Sequence, residues 1–381
     1  MKVKYFFSAP KKDIPVGPDD LLKPFKITPS ENHTFLTLGD YFHSLEKFLL
    51  EDHVTTLNQV LKAAGQDFGI AGIDKMVIKS EKHGTLYHLA SVEVFSKHQP
   101  FKLAVSTAVG QRKTWLDHEY EILSFIHKSF GLPYLPEPYF KGNVRHRAGM
   151  DEEMLSMFVT QWFEGYHEWH FSLDEMERKA KVCIWDQKQG HRFVSREETF
   201  EIFRQASKIL TLYYNTKDFS EIFPWHHAAG DFVVKNTDGV VDVKLTTVRN
   251  YGPRMVFETQ GDRNPMIAIV WFFLNMVVKM RLDRLDGLGE VVWAGRDCVS
   301  AAATGFFEAL CIMEEKGRYG LGKVPDLLVL LKSFSLEELG RLHDSVLDFY
   351  RHEDRSDLPV IKVHLKKHIS RLYQVLQDLR L

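Results

Sequence analysis

The strongest local signal in the chain is a hairpin set among helices. Phe232-Val-Val-Lys-Asn236 is an apolar run, Thr237-Asp-Gly239 has turn chemistry, and Val240–Thr247 is a second apolar run. An Asp-Gly pair supplies the left-handed backbone that tight hairpins require. On either side the apolar spacing turns helical. Helices are predicted at about Arg196–Tyr214 before the hairpin and at about Pro265–Leu282, Ser300–Lys316, Leu336–Arg351 and Pro359–Leu381 after it.

Further upstream the period is two. Lys75–Lys79, Leu86–Ser96 and Phe101–Ala108 read as strands, separated by turns at Ser80–Thr85 and Lys97–Pro100. An amphipathic helix follows at Thr114–Phe130, stopped by Gly131-Leu-Pro133, and then strands at Tyr139–Val144 and Met154–Trp162. The first 70 residues carry Pro10, Pro15, Pro18, Pro24 and Pro29, then a helical pattern from about Leu36 to Ala64. Tyr41, Leu45, Leu49, Leu57, Val60 and Leu61 fall on one face of it, and Gly65 closes it. The expected organisation is an α+β chain with a helical N-terminal extension at 1–72, a β-rich part at 73–163 and a mostly helical part at 164–381 that carries the hairpin.

Bulk composition narrows the function classes. The 381 residues hold 49 Lys plus Arg against 51 Asp plus Glu, a net charge of -2, so no bulk positive field points to a nucleic-acid partner. The longest apolar run, Met266–Met280, is interrupted by Asn275 and flanked by Arg263 and Arg281. As a helix it rises roughly 22 Å, short of the ~30 Å hydrocarbon layer, so a buried helix and no membrane span are expected. The N-terminus has no apolar core long enough for a secretory signal. Cys183, Cys298 and Cys311 are far apart and lack CxxC spacing, which suits reduced thiols in a cytoplasmic protein.

The order β-β-β-α-β-β, then helices with one embedded hairpin, resembles the aminoglycoside phosphotransferase and choline-kinase branch of the protein-kinase-like superfamily. The resemblance runs over residues about 74 to 320. It implies a two-lobed fold, a small antiparallel-sheet lobe plus a larger helical lobe, and transfer of the ATP γ-phosphate to a small-molecule hydroxyl with Mg²⁺. Met157-Phe-Val-Thr-Gln-Trp-Phe-Glu-Gly165 looks like the hinge strand, which implies adenine binding around Gln161 and Phe163. Leu116-Asp-His-Glu119-Tyr-Glu-Ile-Leu123 looks like the helix whose Glu119 would hold a phosphate-binding lysine. Lys102, 17 residues before Glu119, is the candidate; it shares a strand face with Ser106, where a direct match to protein kinases expects the lysine.

Within Pro224–Arg249 two alignments compete. One takes Asp231-Phe-Val-Val-Lys-Asn236 as the family's Asp-x-x-x-x-Asn loop, with Asp242 as second metal ligand. It reproduces the residue types but leaves too little chain between Asn236 and Asp242 for a hairpin. The other sets Gly230-Asp231-Phe232 where the family has Gly-Asn-Phe. It makes Asp231 the Mg²⁺ ligand and brings His226 and His227 to the position of the catalytic base. The hairpin's far end is then Leu245-Thr246-Thr247, which carries hydroxyls where the family has a second carboxylate. That loss, with the displaced lysine, keeps open an alternative: a catalytically silent pseudokinase that binds a nucleotide or a partner.

Other patterns have ordinary explanations. His167-Glu-Trp-His170 would place two imidazoles on one helical face, but the chain holds 18 histidines and this is not HExxH. Trp225-His226-His227 reads equally as a packed aromatic corner. Arg249, Arg254 and Arg263 follow the hairpin, where solvated or structurally paired arginines are the default. Gly287-Leu-Gly289 and Gly317–Gly322 lack the strand-to-helix context of a dinucleotide fingerprint, and the basic face of Lys362–His368 reads as solvated.

Overall fold

The computed structural model describes residues 1–381 apart from 66–68, 85, 97–99, 227–229, 256 and 258–263. The chain divides into two compact units, Met1–Glu164 with Gln187–Gly190, and Gly165–Asp186 with His191–Leu381. Both strands and helices are plentiful, so the class is α+β. Among the described residues no helix is long and apolar enough to cross a membrane.

The first unit opens with β1 (Lys2–Phe7), β2 (Ile14–Pro15), α1 (Pro18–Leu21), β3 (Pro24–Thr28) and β4 (Glu31–Thr37). The stretch expected to be one helix is α2 (Leu38–Lys47), a π-helical turn at Phe48–Asp52, and α3 (Val54–Ala63). Thr37 and Asp40 form the capping box that starts α2. There follow β5 (Lys75–His83), β6 (His88–Phe95), β7 (Phe101–Ala108), α4 (Arg112–Phe130), β8 (Pro138–Ala148) and β9 (Asp151–Gln161).

These strands form a seven-stranded sheet in the order β2-β1-β5-β6-β7-β9-β8. Its pairs are antiparallel except β1 with β5, which run parallel from Lys2↔Lys75 to Phe7↔Ser80. The first 72 residues are therefore not a helical extension: four strands lie in their first half, and two of them, β1 and β2, belong to the sheet. Val3 and Tyr5 alternate with Lys2 and Lys4, and Tyr5 stacks on Phe42 at 4.7 Å. One sheet face, including Met76, Val92 and Val159, packs with Tyr41, Leu45 and Leu57 into one core. On the other side Ala108 and Phe158 meet Leu116 of α4.

The second unit contains β10 (His167–Asp174), β11 (Lys179–Asp186), β12 (Gly190–Phe193), α5 (Arg196–Leu212), β13 (Ser220–Phe223), β14 (Phe232–Thr237), β15 (Val240–Leu245) and β16 (Asn250–Pro253). Then come α6 (Pro265–Lys279), β17 (Leu282–Arg284), β18 (Val291–Trp293), α7 (Asp297–Glu315), α8 (Val324–Ser333), α9 (Leu336–His352) and α10 (Leu358–Asp378). The hairpin β14–β15 is not isolated among helices; it is the end of a five-stranded sheet ordered β12-β11-β10-β14-β15. β10 hides its strand character because Trp169, His170, Phe171 and Ser172 are all buried, which erases the in-out alternation. His167 and His170 stand on a strand, three residues apart, so they point to opposite faces and cannot share a metal.

Candidate functional site

The mouth of the hairpin is fixed by its register. Phe232 pairs with Leu245 and Thr237 with Val240, so the residues just outside the pairing, Asp231 and Thr246, abut. Thr246 donates its backbone N–H to the Asp231 carbonyl at 2.7 Å and its hydroxyl to the Gly230 carbonyl at 2.9 Å. Gln205 of α5 secures β15 from the side, donating to the Val241 carbonyl and accepting from the Val243 N–H. Antiparallel β13 and β16 then pair Phe223 with Asn250, which brings Pro224 beside Arg249.

Two parts of the loop converge on the Asp231 carboxylate, which is 1% exposed. The Arg249 guanidinium donates to both of its oxygens, at 2.8 and 2.6 Å, and also to the Pro224 carbonyl at 3.3 Å. The His226 backbone N–H donates to Oδ2 at 2.8 Å. Fork-to-fork pairing of this kind is the strongest an arginine makes with a carboxylate. Asp231 thus already has a cation, and that cation is part of the chain.

His226 is half-buried. Burial, with Lys279 and then Arg249 and Arg284 nearby, pushes its imidazole down to about 3 despite the opposing Asp354. The ring is neutral at physiological pH and able to accept a proton only weakly. Lys279 is itself buried and held by Asp354 at 3.1 Å and Asp357 at 2.9 Å. His227, the other candidate base, and Arg263 lie outside the described residues.

The first of the two alignments fails on geometry. Residues 232–237 are strand β14, which carries Asn236 about 17 Å along the backbone from Asp231. Asn236 instead closes the hairpin turn, accepting from Gly239 N–H, and donates to Glu198. Asp242 lies opposite Lys235, accepts from the Tyr166 hydroxyl at 2.5 Å and pairs with Lys244 at 3.4 Å. Asp242 is thus a side-chain partner part-way along the hairpin, three residues back from its mouth.

The first unit's candidates are likewise engaged. Lys102 sits opposite Glu93 and lies 3.4 Å from both Glu93 and Glu164, with its ammonium 4.4 Å from the centre of the Trp162 ring. The expected pairing with Glu119 is therefore replaced by two other carboxylates. Glu119 is buried on α4 and accepts from the Tyr87 hydroxyl at 3.4 Å. Ser106, on the same strand face as Lys102, is buried opposite Phe158. Gln161 ends β9 and donates its backbone N–H to the Glu137 carbonyl; Phe163 follows in the segment after the strand.

Residue types alone did not single out Arg249 as the partner of Asp231, but its position does. It lies four residues past Leu245, and the Phe232↔Leu245 pairing brings that stretch back to Asp231. The fit of Mg²⁺ can be judged from the same contacts. Both Asp231 oxygens accept hydrogen bonds from Arg249, and the neighbouring Thr246 offers a neutral hydroxyl oxygen rather than a second carboxylate. Among the described residues no three His, Cys, Asp or Glu side chains gather as a metal site. The donor set as it stands does not fit a divalent cation. By class this is an α+β protein of two compact units with an arginine-neutralised aspartate at a hairpin mouth. No protein-family model matches the chain, and no curated protein matches it.

Proposed function

We propose that the chain is a catalytically silent relative of the aminoglycoside phosphotransferase and choline-kinase branch, a two-lobed kinase-like protein that serves as a nucleotide- or partner-binding module. The element order supports that fold: hairpin strands, β7, α4, then β8 and β9 in one unit, and helices around β14–β15 in the other. The observation that carries the silent reading is the double hydrogen bond of Arg249 on Asp231. To bind Mg²⁺, Asp231 must shed a half-buried guanidinium, and breaking an ion pair whose carboxylate is buried typically costs about 3 kcal/mol. The Thr246 hydroxyl brings no charge to offset that.

The rival reading, ATP-dependent transfer of phosphate to a small-molecule hydroxyl, keeps one observation in its favour. His226, beside Asp231, is an uncharged imidazole with a lone pair to offer. Turnover measurements separate the two. Wild-type protein with ATP is expected to show no Mg²⁺-dependent phosphate release, and EDTA is expected to leave calorimetric nucleotide binding unchanged. Mg²⁺-dependent turnover that disappears in Asp231→Ala would establish the phosphotransferase instead.

A further inference from the structure

The second unit contains an apolar cavity of about 140 Å³ between helices. α6 lines it with Val270, Trp271 and Leu274, α8 with Leu330 and Phe334, and Met255 adds a thioether. The polar group in the lining is Ser345 of α9, whose hydroxyl donates to the Leu342 carbonyl. A dry cavity of ~150 Å³ holds a benzene ring in another protein, so this one has room for a single ring or a short alkyl chain. It is too small to seat a helix or strand of a protein partner.

The cavity has a charged neighbour. Arg254 precedes the lining residue Met255, and its guanidinium lies 4.1 Å from the centre of the Phe349 ring and 5.2 Å from that of Phe223. Phe349 in turn meets Trp271, a cavity wall, at 5.6 Å between ring centres. Arg254 is thus one aromatic ring from the cavity. Ser345, at the exposed rim, lies one helical turn before Phe349.

Among the described residues Arg254 makes ring contacts but no hydrogen bond or ion pair. Glu221 of β13, 4% exposed, feels the Arg254 charge, but the two form no ion pair. Stacked arginines with unspent donors are good receptors for planar anions, because the rings fix the fork without satisfying it. One cation beside one buried acid suits a single negative charge rather than a phosphate dianion.

We propose that the second unit binds a small carboxylic acid, with its ring or short alkyl chain in the cavity beneath α6, α8 and α9 and its carboxylate on Arg254. The site is independent of Asp231 and Arg249, so its fate does not depend on the kinase-like reading.

The test uses the full chain with phenylacetate and hexanoate as probes, against the neutral alcohols 2-phenylethanol and 1-hexanol, by calorimetry and thermal shift. Both acids are expected to bind saturably and more tightly than their alcohols. Arg254→Gln is expected to weaken acid binding about tenfold, the loss of one charge-assisted hydrogen-bonded pair, while leaving the alcohols unaffected. Ser345→Phe, a change at an exposed position, is expected to plug the mouth and abolish binding of all four probes with the fold intact by circular dichroism. The proposal is overturned if neither acid binds saturably, if acids and alcohols bind wild type alike, or if either variant binds the acids as wild type does.

Discussion

Arg249 and Asp231 illustrate how one side chain decides the character of a site. Asp231 is legible in the sequence: Gly-Asp-Phe stands just before the first hairpin strand, where a metal-binding residue is expected. Its neutralisation is not legible, because an arginine's composition says nothing of which carboxylate it will face. Only the strand register does. The pair's energetics follow from burial. With Arg249→Leu the carboxylate keeps the His226 N–H and loses its counter-charge, a loss expected to lower stability by about 3 kcal/mol. Asp231→Asn keeps an acceptor for that N–H and should cost about 1–2 kcal/mol. Because both changes remove the same interaction, the double variant is expected to cost clearly less than the sum. Denaturant unfolding of the four proteins measures it. Strict additivity would mean that the two side chains do not support each other in solution.

Elements are legible where turn chemistry brackets them, even when both faces are dry, as in β7. β7 is found at its expected bounds, Phe101–Ala108, and the hairpin within two residues, because turn chemistry brackets it. β10 was missed because its buried centre imitates neither period, and β1 because its parallel partner lies 73 residues away, from Lys2 to Lys75. Close approach between helices is similarly hidden until structure reveals it. Gly305 of α7 lies against α5, where an added Cβ would stand 2.0 Å from the Arg204 carbonyl oxygen and 3.0 Å from the Lys208 nitrogen. Both obstacles are backbone, so neither can swing aside. Gly305→Ala must part the two helices, and a destabilisation of about 3 kcal/mol is expected, at the upper end of overpacking. A midpoint in denaturant equal to wild type would refute that contact. An alanine in mid-helix would otherwise stabilise by roughly 0.5–1 kcal/mol, so even the sign of the effect is informative.

Across the whole molecule the acid response is expected to be uneven. In the second unit His343 and His368 are fully buried, and burial holds both below the usual 6.5. Each presents an Nε2 that has no hydrogen-bond partner among the described residues. His226 is lowered as well, by burial first. For a group whose folded pKa is depressed, the unfolded chain takes up the proton first, so stability is lost as pH falls through 6.5. Glu221 opposes them. Burial raises it to about 7, so the folded form keeps a proton that the unfolded form has released between about 4.5 and 7, and stability from this group grows as pH falls through that window. Three histidines against one carboxyl leave a net loss on acidification. The first unit's depressed carboxyls, Asp13 and Glu153, start to respond only near their ordinary values of 3.8 and 4.5. Between about pH 7 and about pH 5, amides of α9 and α10 are therefore expected to lose hydrogen-exchange protection while those of β5–β9 retain it. His343 contributes through its charge rather than its bond, since its Nδ1 contacts the Leu339 carbonyl of its own helix. His343→Phe should consequently shift the acid midpoint of the second unit downward. Exchange mass spectrometry across the two units checks both statements, and an equal loss in the two, or an unmoved midpoint in the variant, would show that the buried imidazoles do not set the acid limit.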